Sequence, residues 1–394
     1  HCLGNYEEAI INYNKAIKLS PKNHKILTNL GMAYAFTGQY MKAISVLEQA
    51  IKIEEYYSEA HYGLGKVYVE TGFYEKSIKS FKTAHKLKPS NIEAVKYMAH
   101  PLMYSYKFKH AWEQYEYRWL VMEGEVSREK KWPLPKTKIW SREKCDRLLL
   151  WREQGIGDDI IFLSLVPEVK EMCDTLSVYV DPRLQSLCKR TMPDIHFIED
   201  EKALNSEDCD FHLPLGSVPG LIRNNISDFD RTVRGYLKAD PVRVEAIRKE
   251  LKLKGKTVIG ISWKSFKTRY KTKSVQLKDM ERIFSGLDVV LVNLQYGDVE
   301  DEIREFKEAT GIEVVQCASV DNREDLDGLA ALIEVCDLVV STSSVTVHLA
   351  GALAKDTWVL LHYVSIYYWL VERTDSIWYP SLTLYRQPQL DDWD

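Results

Sequence analysis

The sequence predicts an all-α array of helical repeats followed by an α/β part built as two doubly wound lobes. Three observations carry that expectation. The first third of the chain matches itself at a spacing of 34 residues. From Arg147 onward, short β-rich runs alternate with helical stretches. A charged helical segment, 241–254, then divides that alternation into two halves.

The repeats come first. Gly4, Gly38 and Gly72 coincide on a 34-residue shift, as do Tyr6, Tyr40 and Tyr74. Gly31 falls on Gly65, Tyr34 on Tyr68, and Ala16 on Ala50 and Ala84, while Pro21 and Pro89 close two units with Glu55 between them. Within a unit, Tyr40, Ala43, Ile44, Leu47, Ala50 and Ile51 recur at helical spacing, so each unit reads as two helices. Small residues let paired helices approach, aromatic residues fill the gap between units, and Gly suits the inter-helix turn. Period and residue type together are those of the tetratricopeptide repeat (TPR). A fourth, decayed copy carries Ala99, Phe108, Ala111 and Tyr115, and ends in the aromatic run Trp112, Tyr115, Tyr117 and Trp119. Those aromatics are expected to seal the last repeat against the next domain, the alternative being a ligand-stacking role. A short superhelix of this kind presents a concave face to an extended peptide, so the partner expected of residues 1–122 is a protein or peptide.

Residues 123–145 show no helical or strand period and read as a linker laid against a domain through its Trp residues. Strand candidates in the next half, 146–240, are 147–151, 176–180, 195–198 and 209–213. The last half, 241–394, offers 257–263, 288–294, 312–316, 337–341 and 357–361. Ligands in such sheets sit beyond the carboxyl ends of strands, so the loops there carry the functional reading.

The bulk numbers bound that reading. The chain has 394 residues, 45% apolar and 28% charged, enough for two or three packed domains. A net charge of −4 gives no overall signature of nucleic-acid binding. Seven cysteines form no C-x-x-C pair, which points to a reducing compartment with mostly buried thiols. The opening residues read as mid-repeat sequence and not as a signal peptide, and no stretch is apolar enough to span a membrane. The expected setting is the cytoplasm.

Two loops differ in chemistry. After strand 147–151 comes Glu153-Gln154-Gly155-Ile156-Gly157-Asp158-Asp159, which opens like a G-x-G-x-x-G fingerprint but has Ile160 where the third glycine belongs. Asp158 and Asp159 in the first helical turn would repel a pyrophosphate, so the loop suits a carboxylate base better than a phosphate cradle. The alternative is that both merely stabilise the helix start. After strand 337–341, Ser341, Thr342, Ser343, Ser344 and Thr346 supply five hydroxyls and no carboxylate ahead of a helix. Free backbone N–H groups and hydroxyls there make a diphosphate site, against simple N-capping by Ser343 or Ser344. His348, one turn inside, either reaches that phosphate or is a satisfied core histidine. A third loop, 264–273, carries Lys264, Lys267, Arg269, Lys271 and Lys273 with no acidic residue, and is either a solvated face or a second hold on phosphate.

At these residues the sequence resembles the bacterial TPR glycosyltransferases of the GT-B fold, relatives of the lipopolysaccharide heptosyltransferases and, more distantly, of O-linked N-acetylglucosamine transferase. The stretches that carry the resemblance are WREQGIGDDIIF (151–162), GISWKSF (260–266) with KSVQL (273–277), and DLDGLAALIEVCDLVVSTSSVTVHLAGAL (325–353), followed by WVLL (358–361), YYWLVERTDSIWYPSLTLYRQ (367–387) and the closing DDW. The resemblance implies two Rossmann-like lobes, an acceptor lobe (146–240) and a nucleotide-sugar donor lobe (241–394). It implies inverting, metal-independent transfer of a sugar from a nucleotide-sugar cosubstrate, with no cofactor. Asp158 matches the family's general base and Lys273 the cation on the donor phosphate, with Ser343, Ser344, Val345, Thr346 and His348 in the phosphate loop. Gly157, Trp263, Lys264, Gln295 and Tyr363 are candidate donor or acceptor contacts. The relatives usually carry Asp where Ser343 stands, which leaves donor identity open, and the fold they imply ends in a helix returning to the first lobe. Tyr363, Tyr367, Tyr368 and Trp369 are expected either at a ligand or packing between the lobes. Two rivals stand beside this reading: a non-catalytic TPR scaffold with a degenerate transferase domain, and a dinucleotide-dependent oxidoreductase, against which the missing glycine and the acidic helix start both count.

Overall fold

The computed structural model describes residues 5–123, 136–253, 255–265, 274–389 and 392–393. Two compact units emerge. One holds the chain up to residue 131 together with 223–226 and 366–371, and the other holds the remainder.

The first unit is helical. Its helices are α1 (Tyr6–Leu19), α2 (His24–Phe36), α3 (Tyr40–Ile53), α4 (Ser58–Glu70), α5 (Tyr74–Leu87), α6 (Ile92–Tyr104), α7 (Phe108–Tyr115) and α8 (Arg118–Glu123). The 34-residue period is written into the backbone. The turns between paired helices place Gly38, Gly72 and Tyr106 in the left-handed region, at φ 74°, 77° and 57°. Each turn closes with the same hydrogen bond, Gln39 N to Tyr34 O, Phe73 N to Tyr68 O and Lys107 N to Leu102 O, all at 2.9 Å. The decayed copy is therefore decayed in sequence only, with Tyr106 taking a conformation that glycine adopts more easily. Asn23 and Asn91, two periods apart, both cap the helices that follow them.

Packing repeats as well. A Cβ placed on Gly31 would lie 2.6 Å from Leu47, and one on Gly65 2.7 Å from the Phe81 ring, so each glycine is where paired helices touch. Gly65→Ala is expected to destabilise this unit by about 1–3 kcal/mol, the usual range for overpacking. A lower urea midpoint with an unchanged slope would register it. The last repeat is completed by chain from far away. Trp112 Nε1 donates to Arg223 O at 2.7 Å. Tyr367 stacks on His100 (centroids 5.6 Å apart) and meets Trp112 and Tyr115 edge-on. Trp112, Tyr115 and Trp119 are buried, as are Tyr367, Tyr368 and Trp369, which belong with the repeats.

The second unit contains two parallel sheets. Its strands are β1 (Lys138–Ile139), β2 (Cys145–Trp151), β3 (Cys173–Tyr179), β4 (His196–Phe197), β5 (Phe211–Pro214), β6 (Thr257–Ser262), β7 (Val289–Asn293), β8 (Val314–Val315), β9 (Leu338–Thr342), β10 (Thr357–Leu361) and β11 (Leu382–Arg386). The first sheet has the order β1-β5-β2-β3-β4 and the second β11-β10-β9-β6-β7-β8. Helices alternate with the strands: α9 (Ile156–Leu163), α10 (Val166–Lys170), α11 (Gln185–Thr191), α12 (Val218–Ile222), α13 (Pro241–Leu251), α14 (Glu281–Phe284), α15 (Glu300–Thr310), α16 (Leu326–Val335) and α17 (Val345–Ala352). The predicted fold class, a helical repeat array followed by two parallel α/β lobes, is what is observed.

Two strands lie outside the candidates read from sequence. The stretch read as a linker supplies β1, which pairs with β5 as an edge, and Trp140 beside it is buried with its Nε1 on Glu143 O. Trp132 lies outside the described residues. The other is β11, which extends the second sheet beyond β10 in full five-residue register. Cys145, Cys173, Cys188, Cys209, Cys317 and Cys336 are unpaired and buried. Among the described residues, no helix is long and apolar enough to cross a membrane.

Candidate functional site

Strand order decides where a ligand can sit. In the first sheet the order reverses between β2 and β5, and in the second between β6 and β9. A crevice opens at such a reversal beyond the carboxyl ends. Both singled-out loops stand there, one running from β2 into α9 and the other from β9 into α17.

In the first loop the two aspartates have separate surroundings. Asp159 is 2% exposed. Its Oδ2 is 2.8 Å from Arg152 Nε and accepts the Asp181 N–H at 3.0 Å. Burial raises its carboxyl well above the usual range, and Arg152 pulls part of that back. Asp159 is thus a buried strut. Asp158 is half-buried, and its Oδ2 accepts the Gly155 N–H at 3.2 Å. That bond is the helix-start role weighed for it, made with one carboxylate oxygen. Glu153 is also buried and takes the Gly216 N–H from the loop after β5.

In the second loop the hydroxyls divide. Ser341, Thr342 and Thr346 are buried. Ser341 Oγ donates to Thr342 O at 2.9 Å and lies 3.3 Å from Ser344 Oγ. Ser343, Ser344 and Val345 are half-buried at the start of α17, and the Ser344 side chain does not cap its own helix. His348 is buried, with Nδ1 2.9 Å from Tyr379 Oη.

The two loops meet. A Cβ built on Gly157 would lie 3.0 Å from His348 Cδ2 and 3.4 Å from Nε2, so α9 begins against the histidine ring of α17. A side chain there would press on the imidazole, which would have to give by a few tenths of an ångström. Farther along, the lobes are joined by a bidentate pair, Arg190 on α11 to Asp327 on α16 at 2.8 Å for both bonds, and by Arg183 Nη1 on Arg323 O at 3.1 Å.

The other candidates lie within the second lobe. Gln295 is buried, and its Oε1 accepts from Ser262 Oγ (3.1 Å), Trp263 N (2.9 Å) and Lys264 N (2.9 Å). It clasps the loop after β6 to the loop after β7. Trp263 is fully buried with Nε1 on Glu302, and Lys264 pairs with the same carboxylate, so α15 supplies an acidic partner for that basic loop. Lys267, Arg269, Lys271 and Lys273 lie outside the described residues. Tyr363 is half-buried, with its N–H on Gln387 Oε1 at 3.1 Å.

A recess of about 310 Å³ beyond β7 and β8 is lined in part by Gln295, a candidate from sequence, and by Asn293, Tyr296, Gln316, Asn322 and Arg323, which sequence reasoning missed. Asn322 Nδ2 donates to Asn293 O and Gln295 O, while its buried Oδ1 has no hydrogen-bond partner among the described residues. The available signal was the run Asp321-Asn322-Arg323 just past a strand, where Asp321 Oδ1 takes the Arg323 and Glu324 N–H groups.

Comparison with known proteins bears on the first unit most directly. A family model described as "TPR repeat" matches residues 2–38 and 37–72, and one described as "Tetratricopeptide repeat" matches 58–91. Residues 2–91 are TPR repeats. Over a longer span the chain is similar to Protein FlbA of Caulobacter vibrioides, 30% identical over 306 residues, which is 72% of this chain and 50% of that protein. It therefore spans half the length of that curated relative. Among solved structures, a mutant O-GlcNAc transferase of Thermobaculum terrenum aligns over 91% of this chain and 79% of its own, at 15% identity and a TM-score of 0.33. A crystal structure of MamA aligns over 31% of this chain and 72% of its own, at 24% identity and a TM-score of 0.29.

Proposed function

We propose that the two lobes form a glycosyltransferase moving a sugar from a nucleotide-sugar donor to a hydroxyl of a protein acceptor held by the TPR groove, inverting and without a metal. The observation that carries the reading is the pairing of the two helix starts. One presents a half-buried carboxylate, the other hydroxyls and helix N–H groups, each at the point where its sheet reverses order, and Gly157 rests against His348. Transfer from a diphosphate leaving group to a hydroxyl needs both chemistries side by side.

In this reading Asp158 takes the proton of the acceptor hydroxyl as its oxygen attacks the anomeric carbon. The nucleotide leaves from the opposite face, its charge stabilised by the start of α17 at Ser343 to Thr346 and by Lys273. The recess at Asn293 and Asn322 is of a size and polarity to take the nucleoside, with amide groups for its hydrogen bonds.

A thermal-shift screen against nucleotides and nucleotide sugars tests the donor half. A ligand at 100 times its Kd should stabilise the chain by about 2.7 kcal/mol. The shift for one nucleoside diphosphate or its sugar should be lost in Lys273→Ala. Silence across the panel from folded protein would favour the scaffold reading, for which Ser343 in place of Asp is the motivating observation.

A further inference from the structure

Arg183 crosses from the first lobe to the second, and its contacts can be followed to a loop on either side. It lies in the single 3-10 turn Pro182–Leu184, just past β3. The Arg152 N–H donates to Tyr179 O at 3.0 Å, so the pairing of β2 with β3 continues to the point where the two chains part. Beyond that point Asp181 Oδ1 accepts the Arg183 backbone N–H (3.1 Å) and Nε (2.9 Å), while Oδ2 accepts Nη2 (3.2 Å). A guanidinium is planar, and its donors are fixed as a fork. With the Nε–Nη2 edge on Asp181, Nη1 projects toward the second lobe, where it donates to Arg323 O at 3.1 Å. Glu324 Oε2 stands 3.7 Å from the same nitrogen.

Arg323 belongs to the loop that walls the recess beyond β7 and β8. That loop is held to its own lobe by the Asn322 amide on Asn293 O and Gln295 O, and is shaped by Asp321, which takes the Arg323 and Glu324 N–H groups. In the other direction, Asp181 Oδ2 is 3.0 Å from Arg152 Nη1. Arg152 Nη2 donates to Gln154 O at 3.2 Å, and the next N–H along the chain, that of Gly155, is the one Asp158 Oδ2 accepts. A line of charge-assisted contacts therefore runs from Arg323 O through Arg183, Asp181 and Arg152 to Gln154 O, from the recess wall to the loop that sets Asp158. The other pair joining the lobes, Arg190 with Asp327, shares no residue with this line.

We propose that Arg183 is a positioning residue that ties the wall of the nucleoside recess to the loop carrying Asp158, so that a nucleotide seated in the recess steadies the carboxylate that takes the acceptor proton. The proposal rests on the transferase reading for what fills the recess and for what Asp158 does, whereas the tie itself rests on the contacts just described. The chemistry gives such a tie its use. The base must come within hydrogen-bond reach of the acceptor hydroxyl while the leaving group is held from the other lobe, so a strut between the lobes at this level sets the separation of the two.

The test reads amide hydrogen exchange beside kinetics. The Gly155 amide reports the tie directly, because Asp158 is its acceptor. In nucleotide-free protein, exchange across 152–159 should be several-fold faster in Arg183→Ala than in the wild type. Arg190→Ala, which breaks the other pair between the lobes, should leave it unchanged. UDP, GDP, CDP and ADP are then added in turn. The one that protects 321–324 in the wild type should slow exchange at 152–159 as well, and in Arg183→Ala it should protect 321–324 alone. Turnover in that variant should fall about 10–100-fold with little change in nucleotide affinity, since a misplacement of about 1 Å at a reacting group costs on that order. Arg183→Gln, whose amide is too short to bridge Asp181 and Arg323 O, repeats the comparison if the alanine variant fails to fold. Unchanged exchange at 152–159 in a folded Arg183 variant would overturn the proposal, and so would an equal rise in Arg190→Ala, the mark of a general loosening between the lobes. Wild-type protein that binds none of the diphosphates would sink the donor half of the transferase reading, and exchange in the nucleotide-free protein would still decide the tie.

Discussion

Asp158→Asn is expected to lower sugar transfer by about 10²–10⁴-fold while leaving nucleotide binding intact, the range that a general base contributes. The substitution separates the two roles weighed for this residue. Asp158 accepts the Gly155 N–H with one oxygen. An asparagine of the same shape keeps an oxygen for that bond, so the start of α9 should survive, while the carboxylate that would take a proton becomes an amide that cannot. If Asp158 only stabilised the helix start, Asn would be nearly silent in the assay, because Asn and Asp serve almost equally well at helix N-termini. Single-turnover kinetics with saturating donor decide the matter, and full activity in the variant would remove Asp158 from the chemistry.

The largest expected effect on stability is at its neighbour. Arg152→Ala should destabilise the second unit by about 3–5 kcal/mol, the range for breaking a buried ion pair from one side. Arg152 reaches Asp159 at 2.8 Å and Asp181 at 3.0 Å. Asp181 keeps a second partner in Arg183 at 2.9 Å, whereas Asp159 loses its only ion-pair partner among the described residues. The pH dependence follows from the direction of the shift. Burial already holds the folded-state Asp159 carboxyl above its unfolded value, and removing Arg152 raises it further. Folded protein then binds more protons than unfolded protein, so stability rises as pH falls toward the unfolded value and is lost as pH rises through the folded one. Urea melts of the variant between about pH 8 and about pH 5 should show its deficit shrinking toward the acid end. A deficit independent of pH would mean that Asp159 is not the group left exposed to burial.

The repeat array was legible because its period is local. Every feature that sets it, the cap at Asn23, the turn at Gly38, the contact of Gly31 with Leu47, lies within one unit of chain. The strands were legible where they were long. β1 escaped because two residues carry no period, whereas LTLYR of β11 does alternate, with Leu382 and Leu384 buried and Thr383 and Tyr385 exposed, and that signal went unread. At the candidate site, the helix starts could be read from composition, but the facing of each side chain could not. Thr346 and Ser343 are the same chemistry three residues apart, and burial separates them. Gln295 reads as a polar residue at a strand end, and only the fold shows it clasping the loop after β6. The hydrogen bonds of Tyr236 to Ile160 O and of Tyr379 with His348 join residues scattered along the sequence, with no spacing to announce them.

The segments 223–226 and 366–371, which complete the last repeat, bear on how the chain is made. A ribosome releases α1 to α5 early, and each helical pair can fold as it emerges. The final pair, α6 and α7, must wait for Arg223 to cover Trp112 and for Tyr367 to cover His100. Until then a patch of Trp and Tyr stands open on the nascent protein, a natural foothold for a chaperone. A gene split after α8 would likewise give a fragment whose last repeat is unfinished, with its missing pieces encoded in the other half.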